Sequence, residues 1–465
     1  MNSPLPGLLI AANASHAGKT STALALIAAL NRRGYRIQPA KAGPDFIDAS
    51  YLAALAKRPC LNLDHWMLGK RGLERLLSRL HNEPIADILL IEGAMGLYDG
   101  GKGSSLELAK SLNLPILLLL NVAGMGESAA ALAEGFLAQA RDSAVIAGLV
   151  LTHTGSATHT TLLARSLRKV LGAYHVPLLG CLPRTGAPKI GSRHLGLVDI
   201  AESLPELDSN KLADWLETHV AVHRLLKTFR LPPPKETEKS ESAVFFSARK
   251  PSKGKARIAI ARDRAFSFCY ADLPAFFVEQ GYTPVFFSPL SDHSLPVCDA
   301  IYLPGGYPEL FAQRLADNDA MLTALKVAHA DHVPIYGECG GYLYLMQELT
   351  LQDGSAFPMA GLLPEKACVT HQLQGLGYRK AVLVWDFLHH TQVVSVRGHE
   401  FHYAHVTSHS SAPLWRLRDR HHNELGPAGC TRQATAGSFL HLPVEGGRSF
   451  WLAWLARISQ RHNQG

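Results

Sequence analysis

Leu8-Leu9-Ile10-Ala11-Ala12-Asn13-Ala14-Ser15-His16-Ala17-Gly18-Lys19-Thr20 passes from an unbroken apolar run into a short polar loop, then into an Ala/Leu-rich stretch ending near Arg33. Five apolar residues in a row fit a strand buried on both faces, and Gly34 fits the end of the helix that follows. A phosphate bound between strand and helix needs backbone N–H donors, a helix N-terminus and a cation. Lys19 supplies the cation for the β/γ phosphates of a nucleotide, and Thr20 supplies a hydroxyl for Mg²⁺. The candidate ATP-binding residues are therefore Ser15, Gly18, Lys19, Thr20 and Ser21. A full Walker A loop would carry Gly where Asn13 stands, and a bare Gly-Lys-Thr can also be an exposed lysine opening a helix.

Two acidic motifs decide between these readings. Lys41-Ala42-Gly43-Pro44-Asp45-Phe46-Ile47-Asp48 follows a second strand pattern, Arg36–Lys41. Ile91-Glu92-Gly93-Ala94-Met95-Gly96-Leu97-Tyr98-Asp99-Gly100 follows a third, Ile85–Ile91. Both fall at C-terminal strand ends, where open α/β sheets bind ligands. Mg²⁺ prefers one or two carboxylates plus phosphate oxygens, so Thr20, Asp45 and Glu92 are its candidate ligands. Each acid alone would be read as a loop residue or a helix cap; beside Lys19 the metal reading is preferred.

Further strands are expected at Pro115–Val122 and Ala144–Leu151, with helices at Gly69–His81 and Glu127–Arg141. Alternating apolar strands and helices imply a parallel sheet covered on both faces. The second half continues in the same style, with strands expected at Ala256–Ala261, Thr283–Phe287, Ala300–Leu303 and Pro334–Tyr336. Between the halves, residues 231–255 are rich in Pro, Ser, Lys and Glu and read as a linker, interrupted only by the apolar patch Ala243–Ser247. The expected domains are 1–230 and 256–465.

Pro334-Ile335-Tyr336-Gly337-Glu338-Cys339-Gly340-Gly341-Tyr342 is a Gly-x-Cys-x-Gly elbow after a strand. Small flanking residues permit the strained turn that presents a nucleophile, and a helix N-terminus lowers a thiol's pKa. A lone cysteine is more often a small buried hydrophobe; the elbow reverses that for Cys339 alone. Gly305-Gly306, in Gly305–Glu309, follows strand Ala300–Leu303 and can turn backbone N–H groups toward an oxyanion; the plain alternative is a strand-ending turn. A thiol nucleophile needs a base. His441 is the favoured one, with His399 and His402 of Arg397–Tyr403 as rivals. His399, His402, His405 and His409 are closely spaced, yet side chains alternate along a strand, which argues against a shared metal site there.

With 465 residues, 47% hydrophobic and 18% charged, the chain is expected to build two to four domains at about 100–200 residues each. Its net charge of +7 is spread along the chain without an aromatic-interleaved basic block, so an anionic small molecule is expected and a nucleic-acid partner is not. No apolar window approaches the ~18 residues of a membrane span, and Met1–Gly7 has no signal-peptide pattern. Seven scattered cysteines without a CxxC pair argue against a disulfide framework and a structural zinc site and fit a reducing cytoplasm.

Gly18-Lys19-Thr20, Lys41–Asp48, Cys60–Met67, Ile91–Gly100 and Ser192–Leu197, in that order, resemble the synthetase half of the cobyrinic/hydrogenobyrinic acid a,c-diamide synthase family. The elbow, the order Cys339 then His441, and Arg397–Tyr403 resemble the class I glutamine amidotransferase half of the same family. The resemblance implies a dethiobiotin synthetase-like, P-loop NTPase-like domain binding ATP, Mg²⁺ and a corrinoid, followed by an α/β glutaminase domain. It implies Asp48, Tyr98 and Asp99 as contacts for a tetrapyrrole polycarboxylate, and glutamine as nitrogen donor. Many such glutaminases carry Glu two residues after the histidine; Pro443 stands there, as in the family's cobalamin branch, which resembles a Cys-His dyad. The family's phosphate loop is richer in glycine than Ala14 and His16 allow, and it often has Asn-Arg where Thr152-His153 stands.

The implied reaction is amidation of the a and c acetates through an acyl phosphate, with a homodimer as one arrangement of the enzyme. Nickel-sirohydrochlorin a,c-diamide synthase and cobyric acid synthase are the enzymatic alternatives. The second typically has a Lys-x-Gln-Asn-Met-Ser-x-Asn-like stretch in place of Lys41–Asp48. A regulatory P-loop ATPase with an inert glutaminase-like module is the non-enzymatic alternative, disfavoured because Cys339 and His441 are both kept.

Overall fold

Gly7–Ala12 (β1) is buried at all six positions, as its apolar sequence requires of a strand covered on both faces. The computed structural model describes residues 5–81, 86–141, 145–186, 208–234, 256–384, 393–408 and 412–462. The other strands of the first sheet are Ile37–Ala42 (β2), Leu61–Leu63 (β3), Ile88–Glu92 (β4), Ile116–Asn121 (β5), Ile146–Thr154 (β6) and Leu178–Pro183 (β7). All seven run parallel in the order β3-β2-β4-β1-β5-β6-β7. Because β2, β4 and β1 are adjacent, the loops after Ala42, Glu92 and Ala12 open on one edge of the sheet, and the candidate nucleotide residues lie on them.

The Ala/Leu-rich helix Lys19–Arg32 (α1) is buried continuously from Thr22 to Leu30. It shares a core with Leu212, Ala213 and Leu216 of the helix Ser209–His219. The strands β3 and β7 and that helix were not among the elements expected from sequence. β3 is three residues long, too short to show a period. Leu231, placed in the linker by composition, is buried in the core of the first unit. The chain divides into two compact units, Met1–Phe245 and Phe246–Gly465. Most of the expected linker (235–255), the motif Ser192–Leu197 and His409 lie outside the described residues.

In the second unit Arg257–Ala261 (β8), Thr283–Phe287 (β9), Ala300–Leu303 (β10) and Ile335–Glu338 (β11) are parallel. Eight further strands follow: Glu348–Thr350 (β12), Ala356–Pro358 (β13), Lys366–Val369 (β14), Gly375–Leu383 (β15), Ser395–His402 (β16), Ala404–Val406 (β17), Trp415–Asp419 (β18) and Glu424–Ala428 (β19). They form two four-stranded sheets, β13-β12-β14-β17 and β16-β15-β18-β19, antiparallel apart from the β12–β14 pair. Cys430–Arg432 (β20) and Thr435–Ser438 (β21) complete the main sheet, ordered β20-β21-β11-β10-β8-β9, in which β20 alone is antiparallel. Tyr302, Tyr336, Phe450, Trp451 and Trp454 pack together beneath that sheet. The two smaller sheets correct the expectation that the second half simply repeats the parallel style of the first. No helix among the described residues is long and apolar enough to cross a membrane, and all seven cysteines are free thiols.

Candidate active sites

Gly18, with φ 86, opens α1 from the left-handed region, a conformation a side chain would strain. Lys19 follows and is 8% exposed. Its Nζ donates to the Ala14 carbonyl at 3.0 Å and the Met95 carbonyl at 2.5 Å, so one ammonium joins the phosphate loop to the loop after β4. Burial and the neighbouring Lys41 cation lower its pKa to about 8. Ser15 is exposed in the loop and Ser21 is half-buried on α1.

Thr20 Oγ1 donates to Glu92 Oε1 at 2.7 Å. Glu92 is fully buried, and its Oε1 is also 2.9 Å from Lys41 Nζ. Lys41 Nζ donates in turn to Asp48 Oδ2 at 2.8 Å. Burial opposes the charge on Lys41, but the carboxylates of Glu92 and Asp48 outweigh it and raise its pKa. Burial raises the pKa of Glu92 as well. Asp45 Oδ1 accepts from the backbone N of Ile47 (2.9 Å) and Asp48 (3.0 Å), capping the helix Phe46–Ala56. The cap that sequence set against metal ligation is therefore present; it occupies one carboxylate oxygen of two.

A magnesium ion fits this donor set. Thr20, Glu92 and Asp45 offer hard oxygens, and Glu92 Oε2 is buried with no hydrogen-bond partner in the protein. Among the described residues no group of three His, Cys, Asp or Glu side chains is placed to hold a metal. Of the candidate substrate contacts, Asp48 is committed to Lys41. Tyr98 donates its hydroxyl to the Phe136 carbonyl and packs on the Phe136 ring at 5.2 Å. Asp99 Oδ2 accepts from Gly96 N at 2.8 Å, which closes the loop on itself.

In the second unit Cys339 follows β11 at φ 47 and ψ −106, before the short helix Gly340–Leu345. This is the strained elbow expected for a nucleophile. The expectation of a lowered thiol pKa is reversed: burial, then the nearby Glu309 carboxylate, push it well up, and desolvation outweighs the helix end. Gly305 ends the turn after β10. A Cβ there would lie 2.3 Å from His441 Cε1 and 3.3 Å from Cys339 Cβ, so only glycine lets nucleophile and base share this corner. A Cβ on Gly306 would strike the Ala265 carbonyl at 2.1 Å.

His441 is 2% exposed, and burial, then His402, lower its pKa to about 3. His399 stacks on its ring at 4.9 Å, and the two residues exchange backbone hydrogen bonds of 2.9 and 3.2 Å. His399 Nδ1 bonds the Tyr270 hydroxyl at 3.2 Å. His402 bonds the Ala404 carbonyl through Nδ1 and stacks on Phe439 at 3.8 Å. Both rival histidines thus have packing partners of their own, while His441 is the one shown against Gly305 beside Cys339.

Two functional candidates escaped the sequence reading, Lys41 and Glu338. Each is a charge at or near the C-terminal end of a fully buried parallel strand, and that is the signal that could have found them. Glu338 is fully buried; Tyr302 OH donates to its Oε2 at 3.0 Å, Leu442 N donates to its Oε1 at 3.3 Å, and His441 Nδ1 is 3.8 Å from Oε2.

Comparison with known proteins places both halves of the chain in one family. Residues 8–198 match the CobQ/CobB/MinD/ParA nucleotide binding domain, and residues 257–449 match the CobB/CobQ-like glutamine amidotransferase domain. The hydrogenobyrinate a,c-diamide synthase of Brucella suis biovar 1 (strain 1330) is 41% identical over 449 residues, covering 94% of this chain and 98% of that protein. The protein of the same name from Rhodobacter capsulatus is 38% identical over 445 residues, with the same coverage. The cobyrinate a,c-diamide synthase of Dehalococcoides mccartyi is 37% identical over 421 residues, covering 89% of each chain. The chain belongs to the a,c-diamide synthase family.

Within the a,c-diamide synthase family, this chain's departures from the expected motifs have local explanations. Asn13 Oδ1 accepts from Asn121 N at 2.8 Å and ties the end of β1 to the end of β5, a task glycine lacks the side chain to perform. Thr152 Oγ1 donates to the Ala17 carbonyl at 2.9 Å, and His153 Cε1 lies 3.9 Å from the Cβ direction of Gly18. The pair that replaces Asn-Arg therefore packs against the phosphate loop.

Proposed function

We propose that the protein transfers the amide nitrogen of glutamine to the a and c acetate carboxylates of hydrogenobyrinate or cobyrinate, using ATP. It is a glutamine-dependent, amide-forming ligase of cobalamin biosynthesis. The observation that carries the reading is the glycine corner at Gly305, where Cys339 and His441 are the two side chains a Cβ would strike.

In the glutaminase half, His441 takes the proton of the Cys339 thiol and the sulfur attacks the glutamine carboxamide carbon. The proton passes to the departing nitrogen, ammonia leaves, and water hydrolyses the thioester to glutamate. The backbone N–H groups of Gly305 and Gly306 are the proposed donors to the oxyanion of the tetrahedral intermediate. Burial favours the neutral form of both the Cys339 thiol and the His441 imidazole.

In the synthetase half, a substrate carboxylate attacks the γ-phosphorus of ATP and ADP leaves. Ammonia adds to the acyl phosphate and phosphate departs, leaving the amide. Carboxylate alone is too poor an electrophile for ammonia, so activation is required. Lys19, with the loop N–H groups, binds the phosphates. Thr20, Glu92 and Asp45 would hold Mg²⁺, which neutralises phosphate charge when bound. Asp48, Tyr98 and Asp99 border that edge as the proposed surroundings of the polycarboxylate. Glutamine and the corrinoid are the proposed partners, the proposed setting is the cytoplasm, and a homodimer is the proposed assembly.

The test supplies ATP and glutamine with hydrogenobyrinate, cobyrinate or nickel-sirohydrochlorin and reads the product by mass. Two carboxyl-to-amide exchanges on hydrogenobyrinate or cobyrinate, dependent on ATP, are expected. Turnover of nickel-sirohydrochlorin alone, or of none of the three, overturns the reading.

A further inference from the structure

Glu338 is the residue immediately before the nucleophile, yet its carboxylate faces the base. It ends β11 fully buried, and its strand pairs in parallel with β21, placing Glu338 opposite Ser438. Three residues beyond Ser438 comes His441, whose Nδ1 is 3.8 Å from Glu338 Oε2. The carboxylate is itself held: Tyr302 OH donates to Oε2 at 3.0 Å and Leu442 N to Oε1 at 3.3 Å. Glutaminases of this class commonly take their third catalytic member from two residues past the histidine, where this chain has the buried Pro443. We propose that Glu338 is the positioning residue for His441, supplying from the strand before the nucleophile the carboxylate that orients the base. This rests on the reading of Cys339 and His441 as nucleophile and base.

The chemistry follows from ring geometry. An imidazole whose Nδ1–H points at a carboxylate leaves the Nε2 lone pair, on the opposite side of the ring, free to accept the thiol proton. The same carboxylate stabilises the imidazolium that results. Burial pushes the Glu338 carboxyl well above the usual carboxylate range, and the hydrogen bonds donated by Tyr302 and Leu442 N oppose that rise without reversing it. His399, stacked on the other ring, fixes the plane in which Nδ1 turns. Closing 3.8 Å to hydrogen-bond length takes a shift of less than about 1 Å, and catalytic hydrogen bonds are often long until substrate binds. A carboxylate with no part in catalysis could instead serve only to pin the strand end through Leu442 N, and the two roles separate experimentally.

Glu338→Gln keeps the size of the side chain and an oxygen to accept from Tyr302 or Leu442, but its amide would donate to Nδ1 and enforce the wrong tautomer. The full-length variant is expected to lose at least about a hundredfold in kcat for glutamine hydrolysis, with KM for glutamine, the thermal melt and ammonia-dependent synthesis unchanged. Alkylation of Cys339 by iodoacetamide should slow in parallel. A kcat within threefold of the parent, or a loss that tracks a raised KM and a lowered melt, overturns the proposal. If Glu338→Gln loses its melting transition, the unmodified protein carries the test by NMR with isotopically labelled histidine. The His441 ring, assigned by its absence in His441→Gln, is expected to be protonated at Nδ1; protonation at Nε2 alone overturns the proposal. Cys339→Ala run alongside separates the layers: if it still hydrolyses glutamine, the nucleophile reading itself has failed, whatever Glu338 does.

Discussion

Lys41 holds two buried carboxylates at once, with Asp48 Oδ2 at 2.8 Å and Glu92 Oε1 at 2.9 Å. Removing its charge while keeping apolar bulk, as in Lys41→Met, strands both acids away from water. Breaking a buried ion pair from one side typically costs about 3–5 kcal/mol. Chemical denaturation of Lys41→Met is expected to show a loss of that order, and a change below about 1 kcal/mol would mean the cluster is solvated or neutral. Asp45 poses the opposite question. Asn caps a helix about as well as Asp, so Asp45→Asn should leave the melt in place. If Asp45 also serves Mg²⁺, the concentration needed for half-maximal synthesis rises; an unchanged Mg²⁺ profile assigns it to the cap alone. At this scale the sequence offered Lys19, Thr20, Cys339 and His441 as candidates because they sit in motifs with a chemical rationale. It hid Lys41 and Glu338 because each stands in a strand, where a charge is informative only once its neighbours across the sheet are known.

At the scale of elements, the turn after β10 matters through what it lacks. A methyl group at Gly305 would lie 2.3 Å from His441 Cε1. Gly305→Ala keeps the backbone N–H and pushes the base aside; misplacement by about 1 Å can cost on the order of a hundredfold in rate. Glutamine hydrolysis should fall by that order while synthesis from added ammonia continues, and an unaffected hydrolysis rate would place His441 elsewhere during catalysis. Strands β1, β2, β4, β5 and β6 were legible within a few residues because apolar runs in a parallel sheet announce themselves. The three-residue β3 carries no period to detect. Trp415-Arg416-Leu417-Arg418 does alternate, buried against exposed, and the two-residue period of β18 was visible but unused. β15 was harder to see, because its half-buried residues blur the contrast between faces.

At the scale of the whole molecule, the fold class and the pairing of a nucleotide-binding half with a glutaminase half could be read from the motifs in order, and the family comparisons support both. The two smaller sheets of the second unit could not, since each is completed by a pairing that skips intervening strands, β14 with β17 and β15 with β18. Two units with separate chemistries should fail separately. Lys19→Ala removes the phosphate cation and is expected to abolish synthesis from either nitrogen donor while glutamine hydrolysis persists; ammonia-dependent turnover at the parental rate would remove the nucleotide site from Lys19. The most direct test of glutamine-fed amidation is the Cys339→Ala enzyme, supplied with ATP and hydrogenobyrinate or cobyrinate and given either glutamine or ammonium, with diamide measured by mass. Diamide from ammonium at near-parental rate and none from glutamine is the expected result. Diamide from glutamine at the parental rate would contradict it.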